Sequence, residues 1–260
     1  VIVIGAGTGG CMTAKTIAER GFNVCIVDRK EKASIGDKIC GDAISKHHFD
    51  HLGLEYPEGD EMERRITGIK VFSPDQKTVF RLAGEGLHGF IINRYLFGQR
   101  LLKEAIDAGA ILFDSTQVLE PILKDGFVKG ISATNLKANM KTELKSSVTV
   151  DASGVPAVIR SKISPEMGID PIVNREDEVI CYREIRKRKE EMSEPDFCEI
   201  YLDLSMAPGG YYWIFPAGDK KVNVGLGVAM VEGFPNPKAN LYKYVLSNSM
   251  FEGSEIVNGG

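Results

Sequence analysis

One tryptophan, four histidines and five cysteines among 260 residues leave little material for several kinds of chemistry. The cysteines (Cys11, Cys25, Cys40, Cys181 and Cys198) are odd in number and never spaced Cys-x-x-Cys. That usage argues against a disulfide framework or a structural zinc site and suits a reducing, cytoplasmic setting. His47, His48 and His51 fall close together, but no acidic partner recurs with them at ligand spacing, so no metal is expected. No apolar run approaches the ~20 residues that span a bilayer and no signal peptide opens the chain. Any membrane contact is therefore expected to be peripheral. Charges of both signs are interspersed and sum to -4, which excludes the basic field that nucleic acid requires. The densest charge run, Arg183 to Glu191, reads as a solvated strand end or loop. What remains, 43% hydrophobic and 26% charged, suits one large or two smaller soluble globular domains.

The strongest pattern lies at the start. Val1-Ile-Val-Ile4 is a β-branched run of the kind found in a strand buried on both faces. It leads into Gly5-Ala-Gly7-Thr-Gly9-Gly10, then a helical stretch from Cys11 to Arg20 stopped by Gly21. A second apolar strand, Asn23 to Val27, ends at Asp28. Strand, G-x-G-x-x-G, helix, strand and acid in this order predict a dinucleotide-binding unit. Gly5 permits the tight turn, Gly7 lets the backbone approach a pyrophosphate, and Gly10 lets the helix lie close on the strand. The helix N-terminus offers unsatisfied amides to phosphate, and Asp28 can accept from ribose hydroxyls. A unit of this kind at an N-terminus more often holds FAD than NAD; the spacing does not decide between them.

Further along, Gly36-Asp-Lys-Ile-Cys40-Gly41-Asp42 reads as a flexible loop ahead of a helix opening near Ser45. Cys40 supplies a thiol there, or is simply a small apolar residue. A helix from Asn93, with Arg94 at its start and Leu101, Leu102, Ala105 and Ile106 on one face, stops at Gly109. Arg94 at that position can clamp phosphate or sit on the surface. A meander over 110–113, 117–123 and 127–135 follows, then a strand at 148–150 that ends in Asp151-Ala-Ser-Gly154. Near the other end stands Tyr211-Tyr-Trp-Ile-Phe215-Pro216. On a strand, Tyr211, Trp213 and Phe215 share one face and Tyr212 and Ile214 the other. Three rings in a row line a cavity for an apolar ligand or form ordinary core.

Together the N-terminal unit, the Arg94-x-x-Phe97-x-x-x-Leu101-x-x-x-Ala105 helix and the Asp151-Ala-Ser-Gly154 turn resemble the FAD-binding superfold of p-hydroxybenzoate hydroxylase. Within it, residues 36–49 and the Tyr211-x-Trp213-x-Phe215-Pro216 segment followed by Val222-Asn-Val-Gly-Leu-Gly227 are similar to the archaeal geranylgeranyl reductases. The resemblance implies an α/β fold with a Rossmann-like FAD domain and an antiparallel-sheet substrate domain, divided here into residues 1–165 and 166–260. It implies reduction of the double bonds of geranylgeranyl chains on membrane lipid precursors, with hydride from reduced FAD and a proton from the protein or a trapped water. By the resemblance, Gly5, Gly7, Gly9, Gly10, Asp28, Cys40, Gly41, Asp42, Arg94, Val118, Asp151 and Gly154 would serve FAD. Tyr211, Trp213 and Phe215 would flank the prenyl chain, with His48 near its polar head or the cavity mouth. Cys40 and Tyr211 are the candidate proton donors. Ferredoxin and reduced nicotinamide both suit as electron donor.

The superfold places a second FAD motif, a strand followed by Gly-Asp, after the substrate domain, and residues up to Gly260 lack it. C-terminal truncation is therefore expected, as are residues ahead of Val1. Two other readings share the pattern: an FAD monooxygenase or halogenase on the same fold, and a fragment without catalysis.

Overall fold

The computed structural model describes residues 1–260. The chain begins with β1 (Ile2–Ile4), α1 (Thr8–Glu19), β2 (Cys25–Val27), β3 (Ala43–Ser45) and α2 (Lys46–Leu52). There follow β4 (Met62–Ile66), β5 (Gly68–Phe72), β6 (Val79–Ala83), β7 (Gly89–Ile92), α3 (Arg94–Asp107) and β8 (Ile111–Phe113). Next come β9 (Thr116–Lys124), β10 (Phe127–Asn135), β11 (Met140–Lys145), β12 (Thr149–Asp151), β13 (Val179–Lys187) and β14 (Phe197–Tyr201). The last strands are β15 (Tyr211–Ala217), β16 (Lys221–Ala229) and β17 (Glu255–Gly259). Contacts divide the chain into two units, Val1–Lys38 with Arg94–Val173 and Ile39–Asn93 with Asn174–Gly260. The division expected at residue 165 thus falls differently. Residues 39–93 join the C-terminal half because β5 pairs with β14 in register Phe197↔Gly68 to Tyr201↔Phe72.

In the first unit a parallel sheet runs in the order β12-β1-β2-β8. β1 is fully buried, as its β-branched run predicts. Helices α1 and α3 pack together, and Lys15 on α1 reaches Glu104 on α3 at 2.9 Å. The strand expected to open a meander, β8, instead extends the parallel sheet beside β2, because α3 acts as the crossover that a parallel neighbour needs. The meander is β9-β10-β11, and its Val118, Ile131 and Ala133 close a core with Ile2, Ile4 and Val27.

The second unit holds a seven-stranded sheet in the order β17-β13-β16-β15-β14-β5-β6, all antiparallel except β14 with β5, and a small sheet β3-β7-β4. One face of β15 and β16 buries Tyr212, Ile214, Val222, Val224, Leu226 and Val228 against Leu241, Val245 and Phe251. Tyr201 stacks between Phe72 and Tyr212 with ring centroids 4.3 Å away on each side. The charge run expected to be solvated begins inside this sheet. Arg183 and Glu184 are 5% and 0% exposed, because β13 lies between β16 and β17 and both its edges are covered.

Candidate functional site

Two sets of candidate residues emerge, one in each unit. In the first, Ile4 on β1 is in register with Val27 on β2 and Asp151 on β12, so Gly5, Asp28 and Ala152 all leave the same, C-terminal, edge of the parallel sheet. That edge is where open α/β sheets bind ligands. Gly5 has φ +95°, and a Cβ there would meet the Ala152 carbonyl oxygen at 2.5 Å. A Cβ on Gly10 would lie 1.8 Å from the Gly5 carbonyl oxygen, so these two glycines let strand, helix and neighbouring turn close together. Gly7 and Gly9 differ: a Cβ on either meets nothing within 4 Å, which leaves open space above the amides of the first turn of α1. A pyrophosphate would fit that cradle, where backbone N–H groups and the positive end of the helix could hold it.

Asp28 accepts from the Ala6 amide at 2.6 Å and the Lys30 amide at 2.8 Å. A carboxylate has about four acceptor positions, so two remain for ribose hydroxyls. Asp151 is spent locally. It accepts from the Ser153 hydroxyl (2.6 Å) and from the amides of Ser153, Ile159 and Arg160 (3.2, 2.8 and 3.0 Å). Burial pushes its carboxyl up, but these hydrogen bonds outweigh it and leave the group below the usual aspartate range. Asp151 is thus a staple of the 151–160 turn. Because its folded pKa is depressed, its stabilisation is present above the ordinary aspartate pKa and is lost as pH falls through the folded value. Asp151→Asn is expected to lower the stability of the first unit at neutral pH by about 1–2 kcal/mol, discounted for partial exposure, and to flatten its acid unfolding below about pH 4. Thermal melts at several pH values read this directly.

Gly154, with φ +81°, lies within the same turn. Arg94 opens α3 and is half-buried. The Val118 side chain belongs to the core, so only its backbone is left for a ligand.

In the second unit the aromatic face forms as the alternation predicts. Ring centroids of Tyr211 and Trp213 are 6.0 Å apart, and those of Trp213 and Phe215 are 6.1 Å apart. The wall is graded: Phe215 packs with Ile66, Ile91, Cys198 and Ala217 at one end, Trp213 is 7% exposed, and Tyr211 at the other end is 43% exposed. Sheet register places Gly227 and Cys181 in the row of Tyr211, Gly225 and Arg183 in the row of Trp213, and Asn223 and Ile185 in the row of Phe215. Gly225 makes room for the indole, since a Cβ there would meet Trp213 Cζ2 at 2.2 Å.

The Cys40 loop lies on this same face. A Cβ on Gly41 would touch Phe215 at 3.3 Å and Trp213 Nε1 at 3.7 Å. The Cys40 carbonyl oxygen accepts from Arg183 Nε at 3.0 Å and Asn223 Nδ2 at 2.8 Å. The same Nδ2 donates to Asp42 Oδ2 at 3.0 Å, and Arg183 Nη2 lies 3.8 Å from that oxygen. Burial, then the neighbouring Cys181 and Cys40, raise the Tyr211 hydroxyl above the ordinary tyrosine value. Burial, then Cys40, raise the Cys181 thiol. Both therefore hold their protons at neutral pH beside the Cys40 loop. Cys11 and Cys198 are pushed up to about 12, first by burial, and are inert. His48 is exposed on α2, its ring centroid 3.9 Å from that of His47, and no ring contact joins it to the three-ring wall.

Sequence reasoning missed Arg183, Asn223 and Cys181. Their only signal is the period of two: on strands in register with the aromatic segment they fall on its face.

Residues 1–38 match a family model described as an FAD binding domain, and residues 177–260 match the geranylgeranyl reductase catalytic domain. The digeranylgeranylglycerophospholipid reductase of Sulfolobus acidocaldarius is 42% identical over 94% of this chain. The chain belongs to the geranylgeranyl reductase family. It spans 54% of the length of that relative, and 65% of the Methanothrix thermoacetophila digeranylgeranylglycerophospholipid reductase, to which it is 31% identical over its whole length. Among solved structures, a geranylgeranyl bacteriochlorophyll reductase-like protein from Thermoplasma acidophilum superposes with a TM-score of 0.85 at 22% identity, covering 100% of this chain and 64% of that one. A myxobacterial chondrochloren halogenase follows with a TM-score of 0.79 at 16% identity, covering 100% of this chain and 61% of that one. Both establish the shared fold. In keeping with the FAD-binding match over residues 1–38, the Gly5–Gly10 cradle has the space and the donors for FAD.

Proposed function

We propose that the protein saturates carbon–carbon double bonds of geranylgeranyl chains on glycerophospholipid precursors, using FAD. The observation that carries this reading is the three-ring wall of Tyr211, Trp213 and Phe215 with the Cys40 loop fastened across it. Bound FAD supplies hydride in its reduced form. The side chains of this unit do the rest. The three rings give an apolar face, packed at Phe215 and exposed at Tyr211, along which an isoprenoid chain would align with water excluded. An isolated alkene has no carbonyl to hold negative charge, so a proton must reach one alkene carbon as hydride reaches the other.

That proton comes from the cluster of Tyr211, Cys40 and Cys181. A donor with a raised pKa stays protonated through neutrality, so the rate through Tyr211 is flat across neutral pH and falls only above the ordinary tyrosine range. Tyr211→Phe, Cys40→Ser and Cys181→Ser are measured singly; loss of the donor lowers the rate about 100-fold. Three full rates would remove the cluster from the mechanism.

The reduction needs an electron donor, for which ferredoxin and reduced nicotinamide are both suited. No helix is long and apolar enough to cross a membrane. With a lipid as substrate, we place the protein in the cytoplasm, in peripheral contact with the membrane surface. The test is product analysis under argon, with dithionite as reductant and geranylgeranylated lipid as substrate. Lipid gaining two hydrogens per double bond supports the reading. Unchanged lipid, with oxygen consumed when an aromatic substrate is supplied in air, would point to the monooxygenase or halogenase reading instead.

A further inference from the structure

We infer that Asn223 is a positioning residue through which the aromatic wall fixes the conformation of the Cys40–Asp42 loop. Asn223 is 0% exposed and uses both ends of its amide. Its Oδ1 accepts from Trp213 Nε1 at 3.0 Å, and its Nδ2 donates to the Cys40 carbonyl and to the Asp42 carboxylate. An amide can turn over and exchange oxygen for nitrogen, but an indole N–H is only a donor. Trp213 therefore forces Oδ1 towards itself and Nδ2 towards the loop. With the amide turned the other way, N–H would face N–H on the wall and oxygen would face two oxygens on the loop. The Arg183 guanidinium completes the clamp by donating to the same Cys40 carbonyl. Trp213 thus has a second task besides its place in the aromatic wall: its one polar atom sets the direction of the amide that holds the thiol loop. The inference rests on the second unit alone and stands apart from the reductase reading.

Three variants separate the two halves of the relay. Asn223→Asp is isosteric and keeps an acceptor for Trp213, but sets oxygen against the Cys40 carbonyl and the Asp42 carboxylate. Trp213→Phe keeps a ring, smaller than the indole, and removes the donor. Asn223→Ala removes both links. The readout is the rate at which iodoacetamide labels each cysteine, resolved by peptide mass spectrometry in the otherwise unaltered chain. Buried Cys198 serves as the control for unfolding.

Losing the loop bonds is expected to speed labelling of Cys40 about tenfold in Asn223→Asp, with Cys198 as slow as in the parent. Trp213→Phe is expected to speed it less, in the same direction. In Asn223→Ala and Asn223→Asp the emission of the sole tryptophan is a second signature: it moves in the first, where the indole loses its acceptor, and holds in the second. Cys40 labelling at the parental rate in Asn223→Asp, or in Trp213→Phe, overturns the inference. If Asn223→Asp unfolds and exposes Cys198, the Trp213→Phe result decides alone. Reductase assays take no part in this test, so its failure and failure of the reductase reading are distinguishable.

Discussion

Alanine at Gly7 is expected to leave the first unit folded while weakening FAD about 100-fold, whereas alanine at Gly10 is expected to destroy the fold. Adding the same methyl group has opposite meanings three residues apart. At Gly7 the new Cβ meets nothing within 4 Å of protein, so melting temperature is unchanged. It occupies the space that lets the pyrophosphate reach the amides of α1. Two charge-assisted hydrogen bonds lost at roughly 1.5 kcal/mol each correspond to that fall in affinity. At Gly10 the Cβ sits 1.8 Å from a backbone oxygen that has nowhere to go, because the Gly5 turn is itself held against Ala152. Overpacking against main chain costs more than the ~1–3 kcal/mol typical of side-chain clashes. Flavin retention and thermal melts of the two variants, measured side by side, check both halves. A Gly7→Ala protein that keeps its flavin would mean that the cradle does not hold the phosphates.

Trp213→Ala is expected to cost about 3–5 kcal/mol of stability in the second unit and to abolish discrimination for a slender apolar chain. The indole fills the space above Gly225, so its removal opens a cavity that nothing flanking can close. Gly225→Ala approaches the same position from below, pushing the ring outward instead of deleting it. Isoprenoid affinity should fall in both variants, but stability falls most in Trp213→Ala, where hydrophobic contact and the hydrogen bond to Asn223 both disappear. Denaturant melts and lipid-binding titrations separate the two effects. Equal lipid affinity in parent and Trp213→Ala would show that the wall is core and not a binding surface.

What the sequence of this chain reveals of its fold depends on the range of each signal. The β1–α1–β2 unit is legible in order and to within three residues at its boundaries, because strand, turn, helix and acid are consecutive; the largest miss is the start of α1, at Thr8 and not Cys11. The alternation of Tyr211 to Phe215 likewise predicted which rings share a face. Pairing at a distance was not legible. Nothing in residues 39–93 announces that β5 lies beside β14, which is why the pattern alone suggests a boundary at residue 165. β11 carries almost no apolar alternation because it is an exposed edge strand. Arg183 and Glu184 looked solvated by composition, yet pairing of β13 on both edges buries them. The hydrogen bonds from Arg183 and Asn223 to the Cys40 carbonyl span 143 and 183 residues, and a backbone acceptor leaves no trace in side-chain pattern. The sequence marks Asp151 as a candidate cofactor residue, whereas its local role as a turn staple shows only in the geometry of residues 153–160.

Under the proposed function, reducing equivalents pass from flavin to an unactivated isoprenoid alkene. The most direct measurement mixes dithionite-reduced, flavin-loaded protein with geranylgeranylated phospholipid under argon and follows the yellow absorbance of oxidised flavin. The absorbance is expected to return on adding lipid, one flavin for each double bond saturated, and to stay absent with the fully saturated lipid. Flavin that remains reduced in the presence of the unsaturated lipid and reoxidises only when air is admitted would contradict it.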